Sequence, residues 1–177
     1  MSLKSIFRRA QPKDAAQEVY ALALERSRDP LFYRDLGVPD TVDGRFEMLA
    51  LHAFLVLRRL KGVPSMEAFS QTLFDVMFED MDMTLREMGA GDMGVGKRVK
   101  AMVKAFYGRI AAYDAGLATP DDAALHDALV RNLYRTAAPT DTQIRGMAAY
   151  VRGAADRLDA VAADRIAAAD FAFGVPA

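Results

Sequence analysis

Apolar residues recur at spacings of three and four along nearly the whole chain, a periodicity that predicts α-helices. The period-two alternation typical of half-buried strands is missing from the sequence. The clearest stripe lies between about residues 43 and 61, before Gly62. Its apolar neighbours widen the stripe nearly all the way round, which predicts a helix at the centre of a bundle. The stripe consists of Leu49, Ala53, Val56 and Leu60.

Two more helices flank this central one in the sequence. The first covers about residues 13–28 and ends before Pro30, and an aromatic-rich connection follows it. The next begins with Ser65 as its N-cap and ends at Gly89. One face of this helix is apolar, and the opposite face is charged, with Asp82 and Arg86 spaced for an i,i+4 ion pair. That charged face carries Asp75, Glu79, Asp82 and Arg86.

Start signals predict the remaining helices. The fourth helix covers about residues 95–118. Thr119 as N-cap and Pro120 at the first position indicate a fifth helix. Thr140 and Gln143 match a capping box at the start of a sixth. The predicted fold is therefore all-α, a compact bundle of about six helices.

Composition is consistent with one globular domain over residues 13–177, after a basic tail over residues 1–12. Hydrophobic residues make up 52% and charged residues 27% of the 177 residues, so a sizeable core can be buried. The longest apolar run, Phe46 to Leu57, is shorter than the roughly 17–25 residues of a membrane-spanning helix. There is no cysteine, which fits a reducing compartment, and we expect a cytoplasmic protein.

The basic tail leaves open a peripheral contact with the inner membrane. Apolar and basic residues alternate there in a pattern that suits one short amphipathic turn on anionic lipid. These residues are Leu3, Ile6 and Phe7 with Lys4, Arg8 and Arg9.

A glycine-rich turn after Met88 matches two nucleotide-binding patterns by letters. Gly89 to Gly94 reads G-x-G-x-x-G, and Gly91 to Lys97 reads G-x-x-x-x-G-K. Both patterns require a preceding strand, whereas the sequence here predicts a helix. Arg98 also occupies the position of the hydroxyl that would hold magnesium. We therefore predict a helix-reversing turn that binds no nucleotide.

Catalytic and metal-binding constellations are missing from the sequence. His52 lies within the apolar helix and is predicted to be a satisfied core residue. His126 follows Asp122 by four positions and is predicted to make a contact on the helix surface. Glu79, Asp80 and Asp82 fan around their helix instead of converging, and no E-x-x-H element completes a di-metal site. We expect a protein without enzymatic activity, cofactor or bound metal.

Methionines and lysines concentrate around the same turn. Seven of the ten methionines fall between residues 66 and 102, and methionine is common on surfaces that accept varied apolar partners. Core filling explains most of them, but Met83 and Val76 fall at the edge of the polar face and predict an exposed docking strip. Lys97, Lys100 and Lys104 share a face of the next helix, which suits either an anionic partner or an ordinary solvated surface.

The stretch from Phe74 to Tyr113 resembles the ubiquinol–cytochrome c chaperone family, assembly factors for the cytochrome b subunit of respiratory complex III. The resemblance rests on LREMG, GDMGVGKRVK and FYGR in this stretch and on the upstream LVLRRLKG, and it covers about residues 45–117. It implies a non-catalytic protein that binds newly made cytochrome b, with the ribosome as a further partner. At position 83 this chain has a methionine, where the resemblance leads us to expect a basic residue.

Partner-binding residues are expected along the third helix, the turn and the fourth helix. The alternative function, on the same basic face, is a ribosome- or RNA-associated helical module. The candidate partner-binding residues are Val76, Phe78, Met83, Arg86, Met88, Asp92, Met93, Lys97, Arg98, Lys100, Lys104, Tyr107 and Arg109.

Overall fold

The computed structural model describes residues 12–87, 89, 92–135 and 137–176, and for Pro12, Asp92 and Met93 it describes the backbone alone. All regular secondary structure in these ranges is helical, which confirms the predicted all-α fold. The basic tail that precedes Pro12 lies outside the described residues. The α-helices are α1 (Pro12–Ser27), α2 (Pro30–Arg34), α3 (Val42–Leu60), α4 (Glu67–Glu87), α5 (Asp92–Ala118), α6 (Ala123–Leu129), α7 (Asp141–Asp159) and α8 (Ala163–Ala167).

Helix α3 is the centre of the bundle, as its all-round apolar pattern predicts. It packs against α1, α4, α5, α7 and α8, and most of its side chains are buried. Thr41 caps its start by accepting a hydrogen bond from the Gly44 amide at 3.1 Å. Gly62, with φ of +79°, follows its end in a conformation that only glycine adopts without strain. The aliphatic core therefore forms around one helix that touches most of the others.

Helices α4 and α5 form a hairpin that covers one side of α3. Gly89 in the connecting turn has φ of +82°, so its predicted role as the residue that ends α4 is confirmed. Aromatic rings join the two helices, with Phe74 and Phe78 each 5.9 Å from Phe106 between ring centroids. The hairpin carries most of the residues on which the sequence places partner binding.

Helix α1 packs on the other side of α4. Tyr20 donates a hydrogen bond to Asp80 at 2.6 Å, and Lys13 pairs with Glu79 at 2.8 Å. The predicted charged face of α4 is thus partly covered by α1. Only long-range packing produces this contact, since nothing local in either helix specifies it.

Helix α7 begins with the predicted capping box. Thr140 accepts from the Gln143 amide at 3.3 Å, and the Gln143 side chain accepts from the Thr140 amide at 2.9 Å. The helix packs on α3, where Tyr150 and His52 form a buried hydrogen bond of 2.7 Å. His52 is also bonded to the Met48 carbonyl, so its predicted place as a satisfied core residue is confirmed.

Two predicted helix starts are wrong. Helix α6 begins at Ala123 after Asp122, not after Thr119, because Arg152 holds the intervening turn. Its guanidinium donates to the carbonyls of Gly116, Thr119 and Asp121 and pairs with Asp122. Helix α4 begins at Glu67 after a 3₁₀ turn over Pro64–Met66, so Ser65 lies inside that turn.

The remaining differences between the predicted and the observed secondary structure are short helical elements. The predicted aromatic connection contains α2, whose first turn is capped by the Asp29 carboxylate on the Leu31 amide. A π-helical turn over Val130–Tyr134 extends α6. Within the described residues, no helix is both long and apolar enough to cross a membrane.

Candidate partner-binding site

Two faces of α5 carry the charged residues of the candidate site. Lys97, Lys100, Lys104 and Tyr107 are exposed and follow one another at spacings of three and four, so they share an outer face. Arg98 lies on a different face, which is turned towards α1 and α3. At 100° per residue the two faces are about 140° apart, so the basic residues of α5 serve two separate surfaces.

The outer face combines one exposed aromatic ring with three unpaired cations. Tyr107 is 57% exposed, and its ring lies 5.6 Å from that of Phe74 on α4. The side chains of the three lysines form no hydrogen bond or ion pair with another described residue. An amphipathic ring beside exposed cations is an arrangement suited to protein interfaces.

The inner face of α5 borders a cavity of about 710 Å³ between α1, α3, α4 and α5. Its walls are buried and half-buried apolar side chains, and its mouth is formed by exposed polar ones. The volume falls within the range of about 300–1,000 Å³ that is typical of small-molecule sites. The apolar walls consist of Leu24, Phe46, Leu49, Met81, Leu85, Met102 and Ala105.

A buried ion pair forms the floor of this cavity. Glu47 on α3, whose side chain is 1% exposed, accepts two hydrogen bonds from the Nε and Nη2 atoms of Arg109 on α5. Arg135 approaches the same carboxylate, with Nη1 at 3.5 Å from Oε1. Burial raises the pKa of the Glu47 carboxyl, although the hydrogen bonds and charge of Arg109 act to lower it. The pair ties α3 and α5 together at the base of the cavity.

Arg135 reaches the floor from a strained backbone position. It follows the π-helical turn and has φ of +46°, a value rarely adopted by a residue with a side chain. Such strain persists where the surroundings hold it, and π-helical turns are frequent at functional sites. Here the strained residue directs a guanidinium to the cavity.

The predicted exposure of Val76 is wrong. Val76 is only 6% exposed because α1 packs over that side of α4, where Tyr20 bonds to Asp80. Phe78 is likewise buried, at 7% exposure, and stacks with Phe74 and Phe106 between α4 and α5. Neither side chain is available to a partner while α1 and α5 are packed on α4.

Two of the predicted partner-binding arginines, Arg109 and Arg86, form ion pairs within the chain. Arg109 is 8% exposed and committed to Glu47, so it supports the cavity from below. Arg86 is exposed and forms the predicted ion pair with Asp82, at 2.5 Å. The side chains of Met88, Asp92 and Met93 lie outside the part of the chain that the structure describes.

Met83 is exposed as predicted, at 60%, but it does not lie beside the lysines. Phe74 marks the side of α4 that contacts α5, and Met83 is nine residues further along, about 180° round the helix. The predicted partner-binding surface is therefore divided into two, one at Met83 and one on the outer face of α5.

The acidic residues of α4 are engaged with separate partners. Glu79 pairs with Lys13, Asp80 accepts from Tyr20, and Asp82 pairs with Arg86. No group of three or more histidine, cysteine, aspartate or glutamate side chains in the described ranges converges as a metal site would. His126 is half-buried, and Asp122, four residues before it, pairs with Arg152 instead.

Sequence reasoning missed the cavity, and of its five arginines it singled out only Arg98 and Arg109. One local signal points to it: Glu47 interrupts an otherwise apolar run, and a carboxylate in such a place requires a cationic partner. The identity of that partner depends on packing, since Arg109 is 62 residues further along the chain.

Comparison with known proteins supports one family. The family profile described as "Ubiquinol-cytochrome C chaperone" matches residues 34–173. The crystal structure of the Cbp3 homolog from Brucella abortus superposes with a TM-score of 0.81 at 39% identity, covering 91% of this chain and 89% of that one.

Curated relatives carry related names. The Xenopus laevis "Ubiquinol-cytochrome-c reductase complex assembly factor 1" is 28% identical over 148 residues, 83% of this chain and 74% of the relative. The Homo sapiens protein of that name is 27% identical over 150 residues, 84% of this chain and 50% of the relative. "Protein CBP3, mitochondrial" of Saccharomyces cerevisiae is 33% identical over 107 residues, 58% of this chain and 32% of the relative. The chain thus spans about half the length of its human relative and a smaller share of the yeast one.

Proposed function

The chain belongs to the ubiquinol–cytochrome c chaperone family, and on that premise we propose that it binds newly made cytochrome b. Family and relatives indicate an assembly factor for the ubiquinol–cytochrome c reductase complex. In the proposal the protein holds its client before incorporation into the complex and catalyses no reaction. The observation that carries it is the family match over residues 34–173, which includes α3 to α7 in full.

The outer face of α5 is the surface that best suits such a client. Tyr107 offers a large exposed ring that is already supported by Phe74, so little side-chain freedom is lost when a partner covers it. Lys97, Lys100 and Lys104 extend along the same face and are free to meet acidic groups beside an apolar client segment. In this proposal the ring supplies apolar contact and the cations orient the client.

Met83 provides a second, smaller candidate surface. Its unbranched thioether side chain adapts to irregular apolar partners, and it stands exposed on α4, one helical turn after Glu79 and Asp80. Because it lies on the far side of α4 from α5, its contribution is separable by mutation from that of the lysines.

The test is a charge reversal on each surface, read out as the amount of assembled complex III in the native cell. We expect Lys100→Glu with Lys104→Glu to lower complex III severalfold at unchanged chain abundance, because the reversed face repels the client's acidic groups. The matched control is Arg131→Glu with Arg145→Glu, the same charge change at exposed positions on the π-helical turn and α7. Met83→Asp is measured beside them.

The outcomes separate the surfaces. Normal complex III with the lysine variant and a loss with Met83→Asp would move the client contact to α4. An equal loss with the control variant would show a general effect of net charge and contradict a site on the outer face. Thermal melting of each variant verifies that the fold is retained, since exposed substitutions usually change stability by about 0.5 kcal/mol or less.

A ribosome- or RNA-associated role is the second candidate, favoured by the row of unpaired lysines. Phosphate contacts weaken steeply with salt, because each neutralised phosphate releases a counterion. Ribosome co-sedimentation at increasing salt tests it. Binding that falls by orders of magnitude with salt and is lost with the Lys100→Glu and Lys104→Glu pair supports this role. Absence of ribosome binding at low salt would exclude it.

A further inference from the structure

The cavity on the inner face of α5 separates apolar walls from a cationic mouth. Leu24, Phe46, Met81, Leu85 and Met102 are half-buried around a space of about 710 Å³. Protein interiors are otherwise close-packed, so an apolar space of this size beside a core has a cost unless something fills it. The walls indicate an apolar occupant.

Arginines dominate the polar groups at this cavity. Five arginines line it against three carboxylates, so the lining is cationic overall although the chain carries a net charge of −1. Arg28 and Arg98 are exposed at the mouth, and their side chains form no hydrogen bond or ion pair with another described residue. Arg135 faces a carboxylate that Arg109 already holds on both oxygens. These three guanidiniums are available to an anion, and their fork of donors matches phosphate or carboxylate oxygens.

We propose that this cavity binds one acyl chain of an anionic lipid, with the head group on the guanidiniums of Arg28, Arg98 and Arg135. The chain would lie along the apolar walls, and the head group would neutralise the excess positive charge at the mouth. The ligand is thus an amphipath with one apolar tail and one anionic head, and its recognition does not depend on the identity of any protein client.

Size and charge disfavour the other occupants. An α-helix is about 10 Å thick, so a volume of this size accepts fewer than two helical turns, whereas a membrane-spanning client segment has about 20 residues. The chain's own residues 1–11 are apolar enough to compete, but their charges are Lys4, Arg8 and Arg9, which the cationic mouth repels. An acyl lipid satisfies both constraints.

Binding of lysophosphatidylglycerol with a palmitoyl chain tests the proposal directly. The full chain is titrated by calorimetry below the critical micelle concentration, with neutral monopalmitoylglycerol as the comparison ligand. We expect saturable one-to-one binding of the anionic lipid and at least about tenfold weaker binding of the neutral one, from the loss of charge-assisted hydrogen bonds. Equal binding of the two, or no saturable binding of either, would overturn the proposal.

Two pairs of variants on α5 test whether the lipid binds in the cavity or on the outer face. Arg98→Glu removes a guanidinium from the mouth, and Lys100→Glu makes the same charge change on the outer face. Ala105→Phe fills the cavity, and Ala111→Phe adds the same ring at an exposed position of the same helix. We expect the cavity variants to weaken lipid binding about tenfold or more and the outer variants to leave it unchanged. Because Arg98 is exposed, its variant remains informative if Ala105→Phe fails to fold.

Rival occupants give different results in the same experiment. If the cavity variants leave lipid binding intact but lower capture of cytochrome b, the cavity is a peptide site and the proposal is wrong. If lipid binds only after deletion of residues 1–11, the chain's own tail is the occupant and the proposal is equally wrong. Loss of lipid binding with normal complex III assembly supports the lipid site independently of the proposed client.

Discussion

Arg98 and Lys100 lie two residues apart on α5 and point to nearly opposite sides of it, Arg98 to the mouth of the cavity and Lys100 to the outer face. A helix turns by about 200° over two residues, so neighbours in the sequence become residues of different surfaces. The basic segment that begins at Lys97 therefore contributes to two surfaces of one helix. In our proposals the outer surface binds a protein client and the inner one an anionic amphipath.

The buried pair of Glu47 and Arg109 is expected to be essential for stability. Arg109→Met leaves the Glu47 carboxylate buried with only the longer contact to Arg135, and breaking a buried pair in this way costs about 3–5 kcal/mol. The double variant Glu47→Leu with Arg109→Met should recover most of that loss, because no unpaired charge remains. Urea denaturation measures both. A single variant within about 1 kcal/mol of the wild type would contradict the assigned role.

His52 should make the fold sensitive to acid. Its Nδ1–H donates to the Met48 carbonyl at 2.8 Å, so its Nε2 accepts from the Tyr150 hydroxyl at 2.7 Å, and the ring is neutral. Burial lowers the pKa of His52 from 6.5 to about 4. Between these values the unfolded chain binds a proton that the folded chain does not, so the free energy of unfolding falls as the pH falls.

This loss amounts to about 3 kcal/mol when the pH is lowered from above 6.5 to 4, from about 1.4 kcal/mol for each pKa unit. The check is the free energy of unfolding against pH for the wild type and His52→Gln. The difference between the two proteins should change with pH only in this interval. A constant difference down to pH 4 would show that His52 does not titrate as described.

Two glycines of α5 should respond oppositely to alanine. A Cβ at Gly116 would lie 2.7 Å from the Leu125 Cα, so Gly116→Ala must push α6 away and should cost about 1–3 kcal/mol. A Cβ at Gly108 meets open space, so Gly108→Ala should stabilise α5 by up to about 1 kcal/mol. Thermal melting distinguishes them, and similar effects of the two changes would disagree with the close approach of α5 and α6.

The glycine turn between α4 and α5 should bind no nucleotide. The residues that precede it form a helix, so the strand that would aim the loop's amides at phosphate is replaced by α4. Arg98 also occupies the position of the hydroxyl that holds magnesium in phosphate-binding loops. Calorimetric titration with ATP and GTP in the presence of magnesium should show no saturable heat, and micromolar binding of either would refute this prediction.

The sequence predicts the elements of this fold better than their contacts. Capping at Thr140, the left-handed residue Gly89 and the apolar run of α3 are local, and each appears in the structure as expected. The burial of Val76 and the partner of Glu47 depend on which helices meet, which the pattern of one helix does not contain.

In the candidate site, too, local features could be predicted from the sequence and contacts between distant segments could not. The exposure of Met83 and Tyr107 could be predicted from their positions on amphipathic helices. The cavity could not, because α1 and the π-helical turn bring Arg28 and Arg135 to it from distant parts of the chain. Arg152 is a further case, since its bonds to the turn before α6 decide where that helix begins.

The most direct measurement of the central claim is capture of newly synthesised cytochrome b. The full chain with an affinity tag is expressed in its native cell, membrane proteins are pulse-labelled, and bound proteins are recovered after mild detergent lysis. The account predicts that labelled cytochrome b co-purifies with the wild-type chain within the pulse and leaves it during the chase. It further predicts severalfold lower capture by the Lys100→Glu and Lys104→Glu pair, and normal capture by Arg131→Glu with Arg145→Glu. Cytochrome b that is absent from the wild-type eluate during the pulse would contradict the proposed function.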